Sequence, residues 1–402
     1  MFVARGARDS AHTIMSVLIG IFLVEGLGFS RSTMGLLLGV SLAGGLALSF
    51  GVLLIGARVA RRQSFVGVAL LTSVAGALLL VTDNVWLLAL GAFLGAYSAS
   101  GGHMGPMIQL EQASLAQVSR PSERTRAFSN LTLASTAGRI AGGGLVGIAS
   151  LLVEVHDFSL VDAHRVVFGI YISLNLLTAG IYALLSTAVE HRPAGAADAP
   201  QPRKWVNPAK ATARKRIFGI SALFGVDSFA GGVIHDTFLA VWLFTQFGVN
   251  EGTVGAVLVA TRVASLVSVW LAPMVAARVG LLNTLVFSQV GSNVLIIAFA
   301  FAPTAGVAIA LWVVHGLFNE MDVPTRQSYV MAIVPDDERE VMAATNNLGR
   351  SIGRVPSTSI TGLLWSSSVN ASPWIVGATI KLLYDAGAYF SFRKVRPAEE
   401  RR

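Results

Sequence analysis

Long apolar runs alternate with short polar segments along most of the 402-residue chain. A helix needs about 20 mostly apolar residues to cross a lipid bilayer, and twelve runs reach that length. The first six cover residues 7–28, 33–57, 64–82, 85–118, 124–153 and 164–187. The second six cover residues 214–247, 251–275, 281–300, 305–333, 339–366 and 373–392. The pattern therefore predicts an all-α integral membrane protein with twelve transmembrane helices.

Composition supports a chain that is mostly immersed in lipid. Apolar residues make up 53% of it, and Asp, Glu, Lys and Arg together make up only 13%. A soluble domain carries about 25% charged residues to cover its water-facing surface. This shortage excludes a soluble enzyme, a nucleic-acid-binding protein and a disordered chain. The first apolar run contains Glu25 and lacks a small-residue cleavage site, which predicts a retained helix and not a signal peptide.

One segment, residues 188–213, is polar at length and rich in Pro, Arg and Lys. It predicts an unstructured linker between an N-terminal six-helix bundle at 1–187 and a C-terminal bundle at 214–402 that ends in a short basic tail. The linker and both termini then share one side of the membrane, which holds most of the 30 Lys and Arg residues. Cytoplasmic loops carry such an excess, so we predict that this side is the cytoplasm. Arg outnumbers Lys by 25 to 5, which is typical of a GC-rich bacterial genome, so we predict a bacterial inner (plasma) membrane.

The two halves repeat each other in sequence. Residues 28–35, Gly-Phe-Ser-Arg-Ser-Thr-Met-Gly, align with residues 248–255, Gly-Val-Asn-Glu-Gly-Thr-Val-Gly. Later in each half, Gly138-Arg139 aligns with Gly353-Arg354. Because each repeat has six helices, both repeats start on the same side of the membrane and are therefore parallel.

The loop between helices 2 and 3 resembles a signature of the major facilitator superfamily, whose members contain two such parallel repeats. That signature reads Asp-Arg-x-Gly-Arg-Arg, and Arg58, Arg61 and Arg62 match its arginines. Ala57 and Ala60 replace its Asp and Gly, so the charge interaction of the Asp is lost.

Other motifs extend this resemblance over essentially the whole chain. The segments Pro121-Ser-Glu-Arg124 and Pro335-Asp-Asp-Glu-Arg339 resemble the family's Pro-x-x-Glu-Arg turns after helices 4 and 10. Residues 138–143 resemble the Gly-Pro-x-x-Gly-Gly motif of its exporters, with Arg139 in place of the proline. The helix 4 arginine of many proton-driven members is absent. The resemblance implies the major facilitator fold, alternating access, and a central cavity lined by helices 1, 4, 7 and 10.

Helix 10 carries a stripe of five polar residues: His315, Asn319, Asp322, Arg326 and Tyr329. Their spacing of i, i+4, i+7, i+11 and i+14 places them on one face of the helix. Since the resemblance puts helix 10 at the cavity, we predict that the stripe faces substrate and water. An ion pair between Asp322 and Arg326 within the helix is the alternative.

Glu111 on helix 4 is the repeat counterpart of Arg326 on helix 10. Both lie about 12 Å inside the cytoplasmic end of their helices, at 1.5 Å per residue. We predict a bridge between them that joins the two halves and closes a cytoplasmic gate. The alternative is that each residue is paired within its own half.

Further acids lie in other predicted spans. Asp9 and His12 begin helix 1, and Asp227 occupies a similar place on helix 7. A charge inside a span costs about 2.5 kcal/mol or more unless it is paired or hydrated, and loss of water favours the protonated form of a carboxylic acid. Asp9, Asp227, Glu111 and Asp322 are therefore candidates for proton coupling.

Three arginines, Arg139, Arg262 and Arg354, lie near the middle of predicted spans. A guanidinium group suits a carboxylate or phosphate substrate, and the alternative is that it neutralises buried acids. The near equality of acidic and basic residues within the spans favours internal pairing. Lys381 and Asp385, four residues apart on helix 12, are predicted to form a structural ion pair on a peripheral helix.

These features predict a secondary active transporter that moves a small solute across the membrane by alternating access, with proton-coupled export as its mode. An importer or exchanger of organic anions is the alternative within this class. A membrane sensor that transports nothing is the alternative from another class. The sequence has no Walker loop, histidine-rich metal cluster or nucleophile elbow, so we predict no enzyme activity, cofactor or metal. The predicted partners are the solute, protons and lipid but not nucleic acid, and the predicted state is a monomer.

Overall fold

The computed structural model describes residues 1–55, 59–95, 97, 106–119, 123–186, 189, 214–322, 339–366 and 370–392. All regular elements in these ranges are helical. The first half contains α1 (Phe2–Ile21), a π-helical turn (Phe22–Gly26), α2 (Arg31–Ile55), α3 (Arg61–Val81), α4 (Val85–Phe93), α5 (Pro106–Val118), α6 (Arg124–His156) and α7 (Leu160–Ala183). The second half contains α8 (Arg214–Val233), α9 (Asp236–Phe247), α10 (Glu251–Val279), α11 (Leu281–Ala300), α12 (Ala305–Asn319), α13 (Arg339–Trp365) and α14 (Ser372–Phe392).

Within the described residues, eight helical stretches are long and apolar enough to cross a membrane, and α12 is a shorter apolar helix. Large apolar side chains cover their outer faces, for example Val81, Trp270 and Leu133 at 77%, 70% and 63% exposure. Such exposure is unfavourable in water and favourable in lipid. The predicted all-α membrane fold is confirmed.

The predicted helix at 214–247 is interrupted in the structure. α8 ends at Val233 and α9 begins at Asp236. The ring of His235 accepts a hydrogen bond from the backbone N–H of Thr237 at 3.2 Å and caps α9. A side-chain acceptor at this position satisfies an N–H group that has no partner in the first turn of a helix, so the break follows from the local sequence. The predicted span is thus present at 217–247, and the structure adds the break between its two helical parts.

The described chain forms two compact units. The first contains Met1–Ala197 together with His235–Val259, and the second contains Asp198–Ile234 with Ala260–Arg402. In the first unit α1 is buried and packs against α6, α7 and α9. In the second unit α8 packs against α13 and α14, and α11 packs against α12 and α14. The two units are defined by which helices pack together. The division into bundles at 1–187 and 214–402, with a linker at 188–213, stays a prediction.

Equivalent glycine contacts occur in the two repeats. A Cβ atom at Gly138 of α6 would collide with the carbonyl oxygen of Gly6 on α1. A Cβ atom at Gly353 of α13 would likewise collide with the carbonyl oxygen of Gly225 on α8. In both units, then, the absence of a side chain lets two helix backbones touch, as small residues do at membrane helix interfaces. Gly138 and Gly353, which align in the two repeats, therefore make the same kind of packing contact.

Candidate functional site

Glu111 on α5 lies at the centre of a buried group of charged side chains in the first unit. Its Oε2 atom accepts hydrogen bonds from Arg5 Nη1 at 2.7 Å and from Arg8 Nη2 at 3.1 Å. Its Oε1 atom accepts a hydrogen bond from the hydroxyl of Tyr182. Both Glu111 and Tyr182 are fully buried. Charge-assisted bonds to both oxygens offset the loss of water around this carboxylate.

Asp9 on α1 belongs to the same group. Arg5 Nε lies 2.9 Å from its Oδ2 atom, Arg8 Nη2 lies 3.6 Å from its Oδ1 atom, and the hydroxyl of Ser135 donates a hydrogen bond to Oδ2. We call the six side chains that these contacts join the Glu111 cluster: Arg5, Arg8, Asp9, Glu111, Ser135 and Tyr182. The cluster connects α1, α5, α6 and α7 and contains two guanidinium groups and two carboxylates.

The sequence singled out Asp9 and Glu111 but did not place them together. It missed the role of Arg5 and Arg8. Arg5 precedes Asp9 by four residues, a spacing that favours an ion pair on a helix and could have indicated this contact. Tyr182 has no such signal, because only the packing of α7 brings it to Glu111. The predicted partner of Glu111, Arg326, lies outside the described residues, and so does Tyr329. The bridge between the halves stays a prediction, and the described partners of Glu111 all lie in its own repeat.

Two other candidates lie near this cluster. The Nδ1 atom of His12 is buried and has no hydrogen-bond partner among the described residues. Arg139 of α6 lies within electrostatic range of Asp9. Among the loop-motif arginines, Arg61 and Arg62 begin α3, and Arg58 lies outside the described residues.

The second unit holds its own buried acids. Lys381 Nζ on α14 lies 3.8 Å from Asp227 Oδ1 on α8. Asn293 Nδ2 on α11 donates a hydrogen bond of 3.0 Å to Asp385 Oδ2 on α14. Asp322 is also buried, at 5% exposure. Lys381 and Asp385 were predicted to form an ion pair with each other, and that prediction is wrong: Lys381 instead lies next to Asp227 on α8, and Asp385 accepts its hydrogen bond from α11.

The structure describes part of the polar stripe that the sequence places on the tenth predicted transmembrane helix, which begins with α12. His315 Nδ1 lies 2.7 Å from the hydroxyl of Ser292 on α11, and Gln289 on α11 donates a hydrogen bond of 3.1 Å to the carbonyl oxygen of Asn319. These two positions of the stripe therefore contact a neighbouring helix. Whether the whole stripe faces substrate stays a prediction.

The remaining mid-span arginines lie on different helices of the second unit. Arg262 is half-buried on α10, and Arg354 is half-buried on α13. The side-chain stem of Arg354 passes close to Gly232 of α8, where a Cβ atom would lie 3.2 Å from its Cγ atom. A substrate role for these arginines stays a prediction.

Within the first unit, the segment 235–259 packs against the helices of the first repeat at the end of α1 that lies away from Met1. We call this contact the 235–259 junction. His164 Nε2 on α7 lies 3.2 Å from Glu251 Oε1 at the start of α10, and both side chains are buried. The His164 ring also meets the edge of Phe22, with 6.1 Å between ring centroids. Phe22 begins the π-helical turn, so an irregular end of α1 contributes to the junction.

Glycines bring the backbones of the 235–259 junction together. A Cβ atom at Gly255 would collide with the carbonyl oxygen of Gly143 on α6. One turn earlier, a Cβ atom at Gly252 would lie 3.4 Å from the Cα atom of Gly147. The Glu111 cluster lies near Arg5 and the junction near Gly20, so the two are about 22 Å apart along α1 at 1.5 Å per residue.

Apolar helices of membrane-spanning length with charged side chains buried between them define a multi-pass membrane protein built from two repeated bundles. The sequence profile of the Major Facilitator Superfamily matches residues 1–358. The chain belongs to this superfamily, and it is a membrane transporter and not an enzyme.

Individual relatives agree with this family. The Saccharomyces cerevisiae protein described as the uncharacterized membrane protein YJR124C is 22% identical over 404 residues, which cover 94% of this chain and 90% of the yeast protein. A bacterial homologue of the human lysosomal transporter Spinster, inward-facing and occupied, has a TM-score of 0.73 at 15% identity, covering 98% of this chain and 96% of that one. The inward-open xylose transporter XylE of E. coli has a TM-score of 0.71 at 13% identity, covering 100% and 96%. At these identities the structures establish the shared fold.

Proposed function

We propose that this transporter exports a small solute across the cytoplasmic membrane in exchange for protons. The observation that carries the proposal is the set of carboxylates buried inside membrane helices of both units, represented by Glu111 and Asp9 in the first and Asp227 in the second. Acidic residues that lie inside membrane helices and are paired with basic residues are typical of proton and substrate pathways. The linker at 188–213 and both termini are cytoplasmic in this proposal, and the protein acts as a monomer in a bacterial inner membrane.

Uptake of a proton would change the charge balance of the Glu111 cluster. With Asp9 and Glu111 both ionised, two carboxylates compensate Arg5 and Arg8. When either acid takes up a proton, one positive charge in the cluster is left without a counter-charge, away from water, which is unfavourable. Protonation therefore favours a rearrangement of α1 against α5 and α7, which is the kind of movement that alternating access requires.

The 235–259 junction supplies the other element of alternating access. It joins the first repeat to α9 and the start of α10, at the end of α1 that lies away from Met1. Solute passes that end only when these contacts separate. The proposal is thus that protonation near one end of α1 and separation at the other end occur in turn.

Transport of organic anions is a second candidate, and one observation favours it. Arg5 and Arg8 contact Asp9, and Arg139 acts on it electrostatically, so the positive charges of three guanidinium groups act on one carboxylate. An anionic solute that displaced Asp9 would be bound by these guanidinium groups. Each guanidinium group can donate two parallel hydrogen bonds to a carboxylate or phosphate group.

A solute screen in proteoliposomes tests these candidates. Purified protein is reconstituted, and uptake of cationic, neutral and anionic solutes is measured with and without an imposed pH gradient. Proton-coupled export predicts uphill movement of a solute that stops when an ionophore collapses the gradient. Exchange of anions that ignores the gradient would favour the second candidate. No movement of any solute class, with protein-free vesicles as control, would favour a sensor.

A further inference from the structure

Asp385 and Asn293 form a hydrogen bond in the second unit. One buried oxygen atom of each side chain is left without a hydrogen-bond partner among the described residues. The amide Nδ2 of Asn293 donates to Asp385 Oδ2 at 3.0 Å. Asp385 Oδ1 and Asn293 Oδ1 have no hydrogen-bond partner among the described residues, and both residues have no exposed surface. Buried polar atoms are normally paired, and each exception calls for an explanation.

A single added proton would give both of these oxygen atoms a hydrogen-bond partner. Placed on Asp385 Oδ1, it converts an acceptor-only carboxylate oxygen into a hydroxyl, which can donate to the amide oxygen of Asn293. The amide and the carboxyl group would then be joined by two parallel hydrogen bonds. An ionised Asp385 instead receives one neutral donor, which offsets little of the cost of burying its charge.

The charged neighbours of Asp385 come from three elements. Lys381 lies one turn away on α14, Asp227 lies on α8, and Asp322 follows α12. Of these charges, Lys381 has the strongest electrostatic effect on Asp385. The Nζ atom of Lys381 lies 3.8 Å from Asp227 Oδ1. That distance is beyond a direct N–H···O hydrogen bond, so the ammonium group is attracted to Asp227 without being hydrogen-bonded to it.

We propose that Asp385 is a proton-binding site of this transporter and that Lys381 responds to its protonation state. With Asp385 neutral, Lys381 lies toward Asp227 on α8, as in the structure. Loss of the proton from Oδ1 to water creates a carboxylate one helical turn from Lys381, which then draws the ammonium group away from Asp227. The only bond that forms or breaks is the O–H bond of Asp385. The site thereby couples proton binding on α14 to the charge next to α8, and its role in transport rests on the proposed proton coupling.

Infrared difference spectroscopy of the full-length protein in lipid tests the site directly. The spectrum is recorded between alkaline and acidic pH, without solute and without a gradient. Wild type should show the carbonyl stretch of a buried protonated carboxylic acid on acidification, shifted in D₂O. Asp385→Asn should remove that band and still fold, because two amides can form the same pair of hydrogen bonds. Asp157→Asn, at an exposed left-handed position that Asn adopts readily, is the matched control and should keep the band.

A second variant keeps the test decisive if Asp385→Asn does not fold. In Lys381→Gln the band should persist to higher pH, because removal of a nearby positive charge favours the neutral acid. Superimposable spectra of wild type and Asp385→Asn, or an unchanged titration in Lys381→Gln, would overturn the proposal. Transport measurements separate it from the proposed function: a titrating Asp385 band in a protein that ignores pH gradients refutes proton-coupled export alone. Gradient-driven export with no band assigned to Asp385 refutes this site alone.

Discussion

The Nε2 atom of His164 lies 3.2 Å from Glu251 Oε1, and this buried contact joins the first repeat to the start of α10 in the second. The neighbouring residue Arg165 forms an ion pair of 2.7 Å with Asp83, but there the side chains are 27% and 62% exposed. One pair is buried inside the 235–259 junction, and the other is in contact with solvent. The two adjacent pairs therefore offer a matched comparison.

His164→Phe should destabilise the protein more than Arg165→Gln does. Phenylalanine keeps the ring contact with Phe22 but leaves the Glu251 carboxylate buried without its partner, at a cost of about 1–3 kcal/mol. Loss of an exposed ion pair costs about 0–1 kcal/mol. Thermal unfolding in one detergent compares the variants, and equal shifts would show that the His164 contact contributes no more than a surface pair.

A disulfide across the 235–259 junction should stop transport. Cβ atoms at Gly147 and Gly252 would lie 3.7 Å and 3.4 Å from the opposite Cα atoms, so the two Cα atoms are within the limit of about 7 Å beyond which a disulfide cannot form. The natural chain contains no cysteine, so Gly147→Cys with Gly252→Cys adds the only pair of thiols. Oxidation should abolish transport in proteoliposomes, and reduction should restore it.

The single variants Gly147→Cys and Gly252→Cys are the controls for this experiment, and oxidation should not affect them. Complete cross-linking with undiminished transport would mean that the junction does not need to separate. The movement assigned to it would then have to occur elsewhere.

Glu111→Gln should destabilise the first unit strongly. The change removes the counter-charge of Arg5 and Arg8 in a fully buried position, and breaking a buried ion pair costs about 3–5 kcal/mol. Tyr182→Phe removes one hydrogen bond and should cost about 1–3 kcal/mol. Thermal unfolding checks the order of the two effects.

The coupling of Glu111 to Arg326 can be separated from its coupling to Arg5. Glu111→Gln and Arg326→Gln should each impair transport, and exchange of the two charges should restore part of it. A double-mutant cycle measures the interaction. Additive losses for Glu111 with Arg326, beside strong coupling of Glu111 with Arg5, would restrict the role of Glu111 to its own repeat.

Asp322→Asn should abolish gradient-driven accumulation and leave downhill exchange of the solute largely intact. The reason is that an amide keeps the size of the side chain but cannot carry the proton that coupling requires. Counterflow and pH-driven uptake in the same proteoliposomes provide the two measurements. Uphill accumulation by the Asn variant would remove Asp322 from the coupling mechanism.

Reporter fusions at Arg192 and at the C-terminus should both report a cytoplasmic location. The reason is the excess of Lys and Arg on the side of the linker. A signal from the opposite side at either position would contradict the predicted even number of helices in that half.

Much of the fold is predictable because lipid imposes a simple rule on the chain. A segment that crosses the bilayer needs an apolar run of fixed minimum length and must satisfy its own backbone hydrogen bonds as a helix. The helix starts at Leu281 and Ala305 are therefore reproduced by their apolar runs. The break at His235 was missed because the apolar run continues through it, while the cap depends on one ring nitrogen.

Candidate residues were predictable one by one, but their partners were not. Asp9, Glu111 and Asp227 stand out because a charge inside an apolar run is rare and costly. Tyr182 lies 71 residues from Glu111 in the chain, and no periodicity connects the two. Asn293 and Asp385 are separated by 92 residues, and the sequence connected Asp385 with Lys381 and not with Asn293.

The sequence by itself determined that this protein spans the membrane as two parallel repeats, because hydrophobic length and charge distribution are properties of local segments. Only the tertiary structure decided which buried charges meet. It placed Arg5, Arg8, Asp9 and Glu111 in one cluster, and it joined His164 to Glu251 across the repeat boundary. The physical reason is that pairing inside a low-dielectric interior depends on distances of a few ångströms between helices, and those distances are set by the packing of the whole bundle.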